Sequence, residues 1–273
     1  MINTIIFSKD RASQLRLLLE SISKNAPGIF NINVLYKASN NDFAVAYEKL
    51  MDEDIVTNIS WALEQDFKTQ NLKMLESELP YTCFFTDDDI MYQTVNEQEI
   101  IDCLENDGDV FCFSLRLGKN ITVCYTQNSG NVLLPLDETD SIVKWDWTLH
   151  YMDFGYPLSV DGHIFRTDDI KTLSNKVPYT NPNTFEAALQ IFDNFPKIKM
   201  AAFIHSKLVN TPTNVVQNVY PNRKGEKYGM SVEELNKKYL DDEIIDLDKL
   251  NFKHIIGAHQ ELEFIFKKNV ELL

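Results

Sequence analysis

Short apolar runs alternate with segments of helical periodicity from Thr4 to Phe85, and this alternation limits the fold more than any other feature of the chain. Thr4 to Phe7 reads as a strand, and the stretch after Arg11 places Leu15, Leu18, Leu19 and Ile22 on one helical face. Asn31 to Tyr36 reads as a second strand, and Asn41 to Leu50 begins a helix carrying Phe43, Ala46, Tyr47 and Leu50 at helical spacing. Ile59 to Leu63 is a third strand, and Phe67 to Leu79 is a helix that leads into a fourth apolar run, Tyr81 to Phe85. Repeated strand-helix order predicts a mostly parallel sheet with helices on its faces. The strand ends at Ser8, Tyr36 and Asp87 would then share one rim, where open α/β sheets bind ligands.

The fourth run breaks abruptly into Asp87, Asp88 and Asp89. If the backbone stays extended there, side chains alternate, so Asp87 and Asp89 point to one side and Asp88 to the other. Adjacent carboxylates repel unless a positive charge relieves them, and Mg2+ or Mn2+ with oxygen ligands answers that need, completed by a phosphate. The competing reading is a solvated acidic turn. Ser8-Lys9-Asp10-Arg11 lies between the first strand and the first helix, where Ser8 or Asp10 suits an N-cap and a helix N-terminus suits an anion.

The 273 residues, 44% hydrophobic and 25% charged, are enough for one large domain, and nine glycines and nine prolines mark no flexible linker. A net charge of -15 argues against nucleic acid or an anionic membrane surface as a main partner. A local metal ion or a few cations still leave room for an anionic substrate. Cys83, Cys103, Cys112 and Cys124 show no C-x-x-C spacing and read as reduced, buried thiols of a cytoplasmic protein. Met1 to Phe7 has neither a basic region nor a long apolar span, so neither a signal peptide nor a membrane-spanning helix is expected.

A first strand running into Ser8-Lys9-Asp10-Arg11, and a fourth running into Asp87-x-Asp89, resemble the nucleotide-sugar half of a GT-A fold glycosyltransferase, of the family 2-like kind with a DxD motif. The likeness covers roughly the first two fifths of the chain. It implies a Rossmann-like mixed α/β sheet flanked by helices, with a C-terminal helical extension. It divides one domain into a nucleotide-sugar half (1-115), an acceptor-side half (116-215), a mobile loop (216-230) and helices (231-273). It also implies transfer of a sugar from a nucleoside diphosphate sugar to a hydroxyl of a carbohydrate or lipid-linked acceptor, dependent on Mn2+ or Mg2+. Ser8, Lys9, Asp10, Arg11, Tyr36, Lys68, Asp87 and Asp88 would hold the donor. Asp87, Asp89 and His205, a late histidine after an apolar strand, would hold the metal. Such an enzyme would be cytoplasmic or peripheral to the inner face of a membrane.

In the second half, Asp109 to Leu115 reads as a strand and Asn120 to Tyr125 as its continuation in a hairpin across Gly118-Lys119. Trp145, Asp146 and Trp147 fall where the resemblance places the acceptor, and aromatic rings suit the C-H faces of sugars. Both tryptophans read equally well as core, and Asp161-Gly162 as a tight turn. Asn183-x-x-Glu186 satisfies a capping box, while the resemblance makes Glu186 the general base, with Asp161 as the next candidate. Val216 to Gly229 is polar and locally basic, and Arg223, Lys224 and Lys227 could close over a diphosphate. Ser231 and Glu234 form a second capping box, after which helical patterns run to the end. There Ile255, Leu262, Phe266 and Leu273 form a stripe for packing or for a homo-oligomer.

Two other functions fit parts of this pattern. A nucleotidyltransferase shares the architecture, but it normally has a glycine-rich phosphate loop after the first strand, and Ser8 to Arg11 contains no glycine. A non-catalytic glycan-binding module would use the Trp145 region and need no ion.

Overall fold

The computed structural model describes residues 1–191, 196–216, 223 and 225–269. The predicted alternation is present: β1 (Ile2–Lys9), α1 (Ala12–Asn25), β2 (Phe30–Lys37), α2 (Asn41–Met51), β3 (Ile59–Leu63), α3 (Phe67–Met74) and β4 (Tyr81–Thr86). Then come β5 (Asp89–Met91), α4 (Glu97–Asn106), β6 (Val110–Ser114), β7 (Val123–Cys124), β8 (Ser129–Gly130), β9 (Asp137–Glu138) and β10 (Ile142–Asp146). The chain continues through β11 (His163–Arg166), α5 (Thr167–Lys176), α6 (Pro182–Leu189), β12 (Lys199–Phe203), β13 (Leu208–Asn210), α7 (Val232–Leu240), β14 (Glu243–Ile245) and β15 (Phe266–Lys268).

Nine strands form one mixed sheet in the order β3-β2-β1-β4-β11-β6-β12-β10-β9. The first four are parallel, β11 runs against both of its neighbours, and β12 is parallel to β6. Ser8 stands opposite Tyr36, and Phe7 opposite Thr86, so the ends of β1, β2 and β4 share one rim as the alternation requires. Leu15, Leu18, Leu19 and Ile22 of α1 pack with Ile6, Val34 and Phe85 on one face. The other face gathers Phe7, Phe84, Phe165 and Phe185, whose rings lie 5.6–6.4 Å apart in the pairs that touch. Alternate residues of a strand face opposite sides, which is why β1 and β4 feed both cores.

Three expectations change. Asn120 to Tyr125 does not pair with β6, because the Lys119 N–H donates to Ile204 O after β12 and the Ile121 N–H closes a turn on Gly118 O; β7 pairs instead with β8. The helix from Phe67 stops at Met74, before the Leu79 of the predicted pattern. The C-terminal segment is not helical to its end, since after α7 it forms the β14–β15 pair. Ile255 and Leu262 are buried in the main core rather than held in a stripe for a second copy, while Leu273 lies outside the described residues. All four cysteines are buried and free, as expected. Among the described residues no helix is long and apolar enough to cross a membrane.

Candidate functional site

The Asp triplet lies on the rim, but it does not stay extended. Asp87 and Asp88 form a turn between β4 and β5, so the alternation that would have aligned Asp87 with Asp89 is broken. Asp87 accepts from Ser8 Oγ (2.9 Å), the Lys9 N–H (3.0 Å) and Arg11 Nη1 (2.9 Å). Asp88 accepts from Arg11 Nη1 at 3.0 Å and from Asn210 Nδ2 at 2.9 Å. Asp89 is fully buried and accepts from the Thr86 N–H and Asn210 Nδ2. The repulsion is therefore relieved first by a guanidinium. Burial raises Asp87 and Arg11 opposes it, leaving that carboxyl at about 6. Burial and the charges of Asp161 and Asp88 raise Asp89 well above the usual carboxylate range.

The tetrad after β1 is built into this turn. Asp10, with φ +59°, spends both carboxylate oxygens on the Ser39 N–H and hydroxyl, tying the first rim turn to the second. It does not cap α1, whose N-cap position is Arg11 without a side-chain bond. Arg11 also donates to Asn214 Oδ1 (2.8 Å) and the Asn214 carbonyl (2.5 Å), fastening residues 211–216 over the rim. Lys9 Nζ is held by the Val216 carbonyl at 3.1 Å. Tyr36 is half-buried beside Tyr47, ring centroids 4.7 Å apart, at the mouth of the rim.

A second group of charges stands on β11 and α6. Gly162, with φ +69°, donates to Phe84 O and accepts from Leu115 N; a Cβ there would collide with Leu208. That clamp sets Asp161 against Thr86 Oγ1 (2.9 Å), Arg116 Nη1 (3.2 Å) and His259 Nε2 (3.4 Å). Thr86 Oγ1 is also 2.9 Å from Asp88 Oδ1, so it bridges the two acidic groups. Burial would raise Asp161, but the His259 bond and the Arg116 charge outweigh it and hold the carboxyl at about 2. Glu186 Oε1 accepts from the Val160 N–H at 3.1 Å, and burial followed by the Asp161 charge raises its pKa. Arg116 is 2% exposed, and its Nε has no partner among the described residues.

Glu186 does not cap its helix. The capping box of α6 is Asn181 with Thr184, two residues earlier than Asn183 with Glu186.

Several expected residues stand elsewhere. Trp145 is fully buried with its Nε1 on Phe154 O, Trp147 donates to Lys197 O, and Asp146 caps the turn at Thr148. All three make these contacts at the core and its edge. Lys68 donates to Val177 O and lies over the Tyr179 ring. His205 is exposed and does not approach the triplet, and among the described residues no three His, Cys, Asp or Glu side chains are arranged to hold a metal. The ligand set Asp87, Asp89 and His205 is thus not brought together. Residues 217–222 and 224, including the expected cation Lys224, lie outside the described residues. Arg223 pairs with Glu226 and lies over the Tyr125 ring, and Lys227 Nζ lies over the ring of Tyr228. Thr86, Arg116, Asn210, Asn214 and His259 were missed by sequence reasoning; only the -Asn-Thr-Pro-Thr-Asn- run carries even a weak local signal, that of a polar turn.

No family model matches the chain. A curated relative, the bifunctional glycosyltransferase pgtA of Dictyostelium discoideum, is 28% identical over 257 residues, which cover 81% of this chain and 33% of that protein. The chain thus spans about a third of the length of that relative. Among solved structures it resembles Staphylococcus aureus TarS (TM-score 0.48, 15% identity, 76% of this chain and 35% of that one). It also resembles a Leptospira borgpetersenii cytidylyltransferase (TM-score 0.40, 11% identity, 71% of each chain). At such scores these structural likenesses decide nothing about activity. The sequence resemblance is to a glycosyltransferase, and the mixed sheet flanked by helices is the architecture expected of one.

Proposed function

We propose that this chain is a glycosyltransferase that moves a sugar from a nucleoside diphosphate sugar to a hydroxyl of a carbohydrate or lipid-linked acceptor. The observation that carries this reading is a pair of carboxylates beside the strand-end rim, Asp161 bonded to Thr86 at the end of β4 and to Arg116, and Glu186 bonded to the Val160 N–H. Asp161 is kept ionised by His259 and Arg116, and Glu186 is pushed toward proton uptake by its burial and by Asp161. Glu186 is the general base: it takes the proton of the acceptor hydroxyl as that oxygen attacks the anomeric carbon. The bond from that carbon to the diphosphate breaks, and its electron pair leaves with the phosphate oxygen. Attack opposite the leaving group inverts the anomeric centre.

Tyr36 offers a ring to the nucleobase at the rim. Lys9, whose ammonium is held by a carbonyl rather than a carboxylate, carries charge for the diphosphate. Mn2+ or Mg2+, expected from the resemblance, has no assembled ligand set among the described residues, so no step is assigned to it. An ion at Asp88 would have to displace Arg11 from that carboxylate.

The test is a panel of nucleoside diphosphate sugars, scored for product formation and for release of nucleoside diphosphate, each with Mn2+ and with EDTA. One donor consumed with transfer to a saccharide is the expected result. Donor cleavage with none of the panel would remove the transferase reading. An affinity that rises in Mn2+ and loses that dependence in Asp88→Asn would place the ion at Asp88.

A further inference from the structure

A cleft of about 450 Å3 lies away from the acidic rim, at the opposite ends of the same strands. On the face that packs against α3, β1 presents Phe7, Ile5 and Asn3, β2 presents Leu35, Asn33 and Asn31, and β3 presents Ala62 and Ser60. The carboxyl halves are apolar and are covered by Phe67 of α3, whose ring lies 5.0 Å from Phe7. The amino halves turn to amides and a hydroxyl, and α3, only eight residues long, leaves them open. Asparagine is among the residues least suited to strands, so three on adjacent strands and one face do not follow from sheet formation.

The amides are also ordered from below. Asn3 is 1% exposed; it donates to Met74 O (3.0 Å) and Thr82 Oγ1 (3.2 Å) and accepts from Asn33 Nδ2 (3.2 Å). That contact fixes the Asn33 carboxamide, and among the described residues its Oδ1 and both side-chain polar atoms of half-buried Asn31 have no protein partner. Lys73 and Glu76 line the same cleft with opposite charge.

We propose that this cleft binds a neutral oligosaccharide, as a site separate from the acidic rim. A carboxamide offers a donor and an acceptor side by side, which matches adjacent sugar hydroxyls, and a preset amide loses little freedom on binding. The balanced charges do not favour an anionic ligand, and the amides beside the apolar lining of Trp61, Ala62 and Met74 suit a ligand that has both hydroxyls and C–H faces. The volume lies within the roughly 300–1,000 Å3 range of small-molecule sites. Asn3 and Ser8 are five residues apart on one strand, about 17 Å at roughly 3.3 Å per residue, so a saccharide held here does not occupy the rim. The proposal does not depend on the transferase reading.

Saturation-transfer NMR with maltotriose, cellotriose and chitotriose tests it on the intact chain, together with the side-chain amide signals of Asn31 and Asn33. One of these saccharides is expected to receive saturation, to shift both amide signals, and to bind about tenfold or more weakly to N31A/N33A/S60A. Uridine and guanosine diphosphate are expected not to compete. No saturation transfer at millimolar saccharide overturns the proposal, as does unchanged affinity in the variant or competition by a nucleoside diphosphate. If the triple variant fails to fold, the amide shifts of the unmodified protein decide alone.

Discussion

Glu186 and Asp161 are chemically near-equivalent carboxylates, and what separates them is who faces them. Asp161 has His259 and Arg116 within hydrogen-bond or ion-pair reach, whereas for Glu186 the charge of Arg116 and the bonds from the Val160 N–H and Ser159 are outweighed by burial and the negative charge of Asp161. A raised pKa suits a base that must hold a proton for part of each turnover. Glu186→Gln keeps an acceptor for the Val160 N–H but cannot take a proton. Turnover is expected to fall about a hundredfold or more with melting temperature and donor affinity unchanged, since general bases contribute roughly 100- to 10,000-fold. The acid side of the pH–rate profile should also lie above the ordinary glutamate range, because the base works only when deprotonated. Rate measurements from pH 4 to 8 on protein and variant check both. Arg11 and Asp87 make the complementary case for structure. Both are buried, and removing one leaves the other charge unpaired. Arg11→Ala is therefore expected to cost about 3–5 kcal/mol by chemical denaturation, a loss that exposed pairs such as Lys24 with Asp248 would not show.

At the scale of elements, α6 shows how a local pattern can be read in the wrong register. Asn183-x-x-Glu186 and Asn181-x-x-Thr184 both resemble capping boxes, and Pro182 at the first helical position decides for the earlier one. That choice frees Glu186, so the cap and the base can be tested apart. Asn181→Ala should cost about 1 kcal/mol of stability, with turnover falling far less than in Glu186→Gln. Thermal melts beside turnover separate the two effects. Most strands and helices of the first ninety or so residues were legible because apolar runs and helical spacing alternate there, while the end of α3 was not, its apolar spacing being weak. What was not legible was the shape of the Asp triplet. Its carboxylates were assumed to alternate on an extended chain, but the turn at Asp87 and Asp88 gives each a different partner. The tryptophans of β10 and the turn after it gave no sequence signal that distinguishes core from surface, and burial assigned them to the core.

At the scale of the whole molecule, the site is closed by residues that sequence order keeps far apart. Asn210 and Asn214 arrive from β13 and the segment after it. His259 arrives from the C-terminal segment, beside Asn210, long after α7 has packed on the first helices. No short motif can announce such a contact, since it exists only once the core that holds Ile255 and Leu262 has formed. The contact has a thermodynamic consequence. Asp161 is held at about 2 in the folded chain against about 3.9 when unfolded, so it contributes stability that is fully present above pH 4. That contribution is lost as pH falls from about 4 to about 2, because the unfolded chain takes up the proton first. The difference corresponds to about 2–3 kcal/mol at neutral pH. His259→Ala removes the leading stabilising partner of the carboxylate, and Arg116 with Thr86 leaves Asp161 closer to its ordinary value. The variant is expected to be less stable at pH 7, and to lose less stability than the unmodified protein between pH 4 and pH 2. Urea unfolding across that interval reads the two slopes directly. Parallel curves would mean that His259 does not hold Asp161 ionised, and that Arg116 and the Thr86 hydroxyl set its charge.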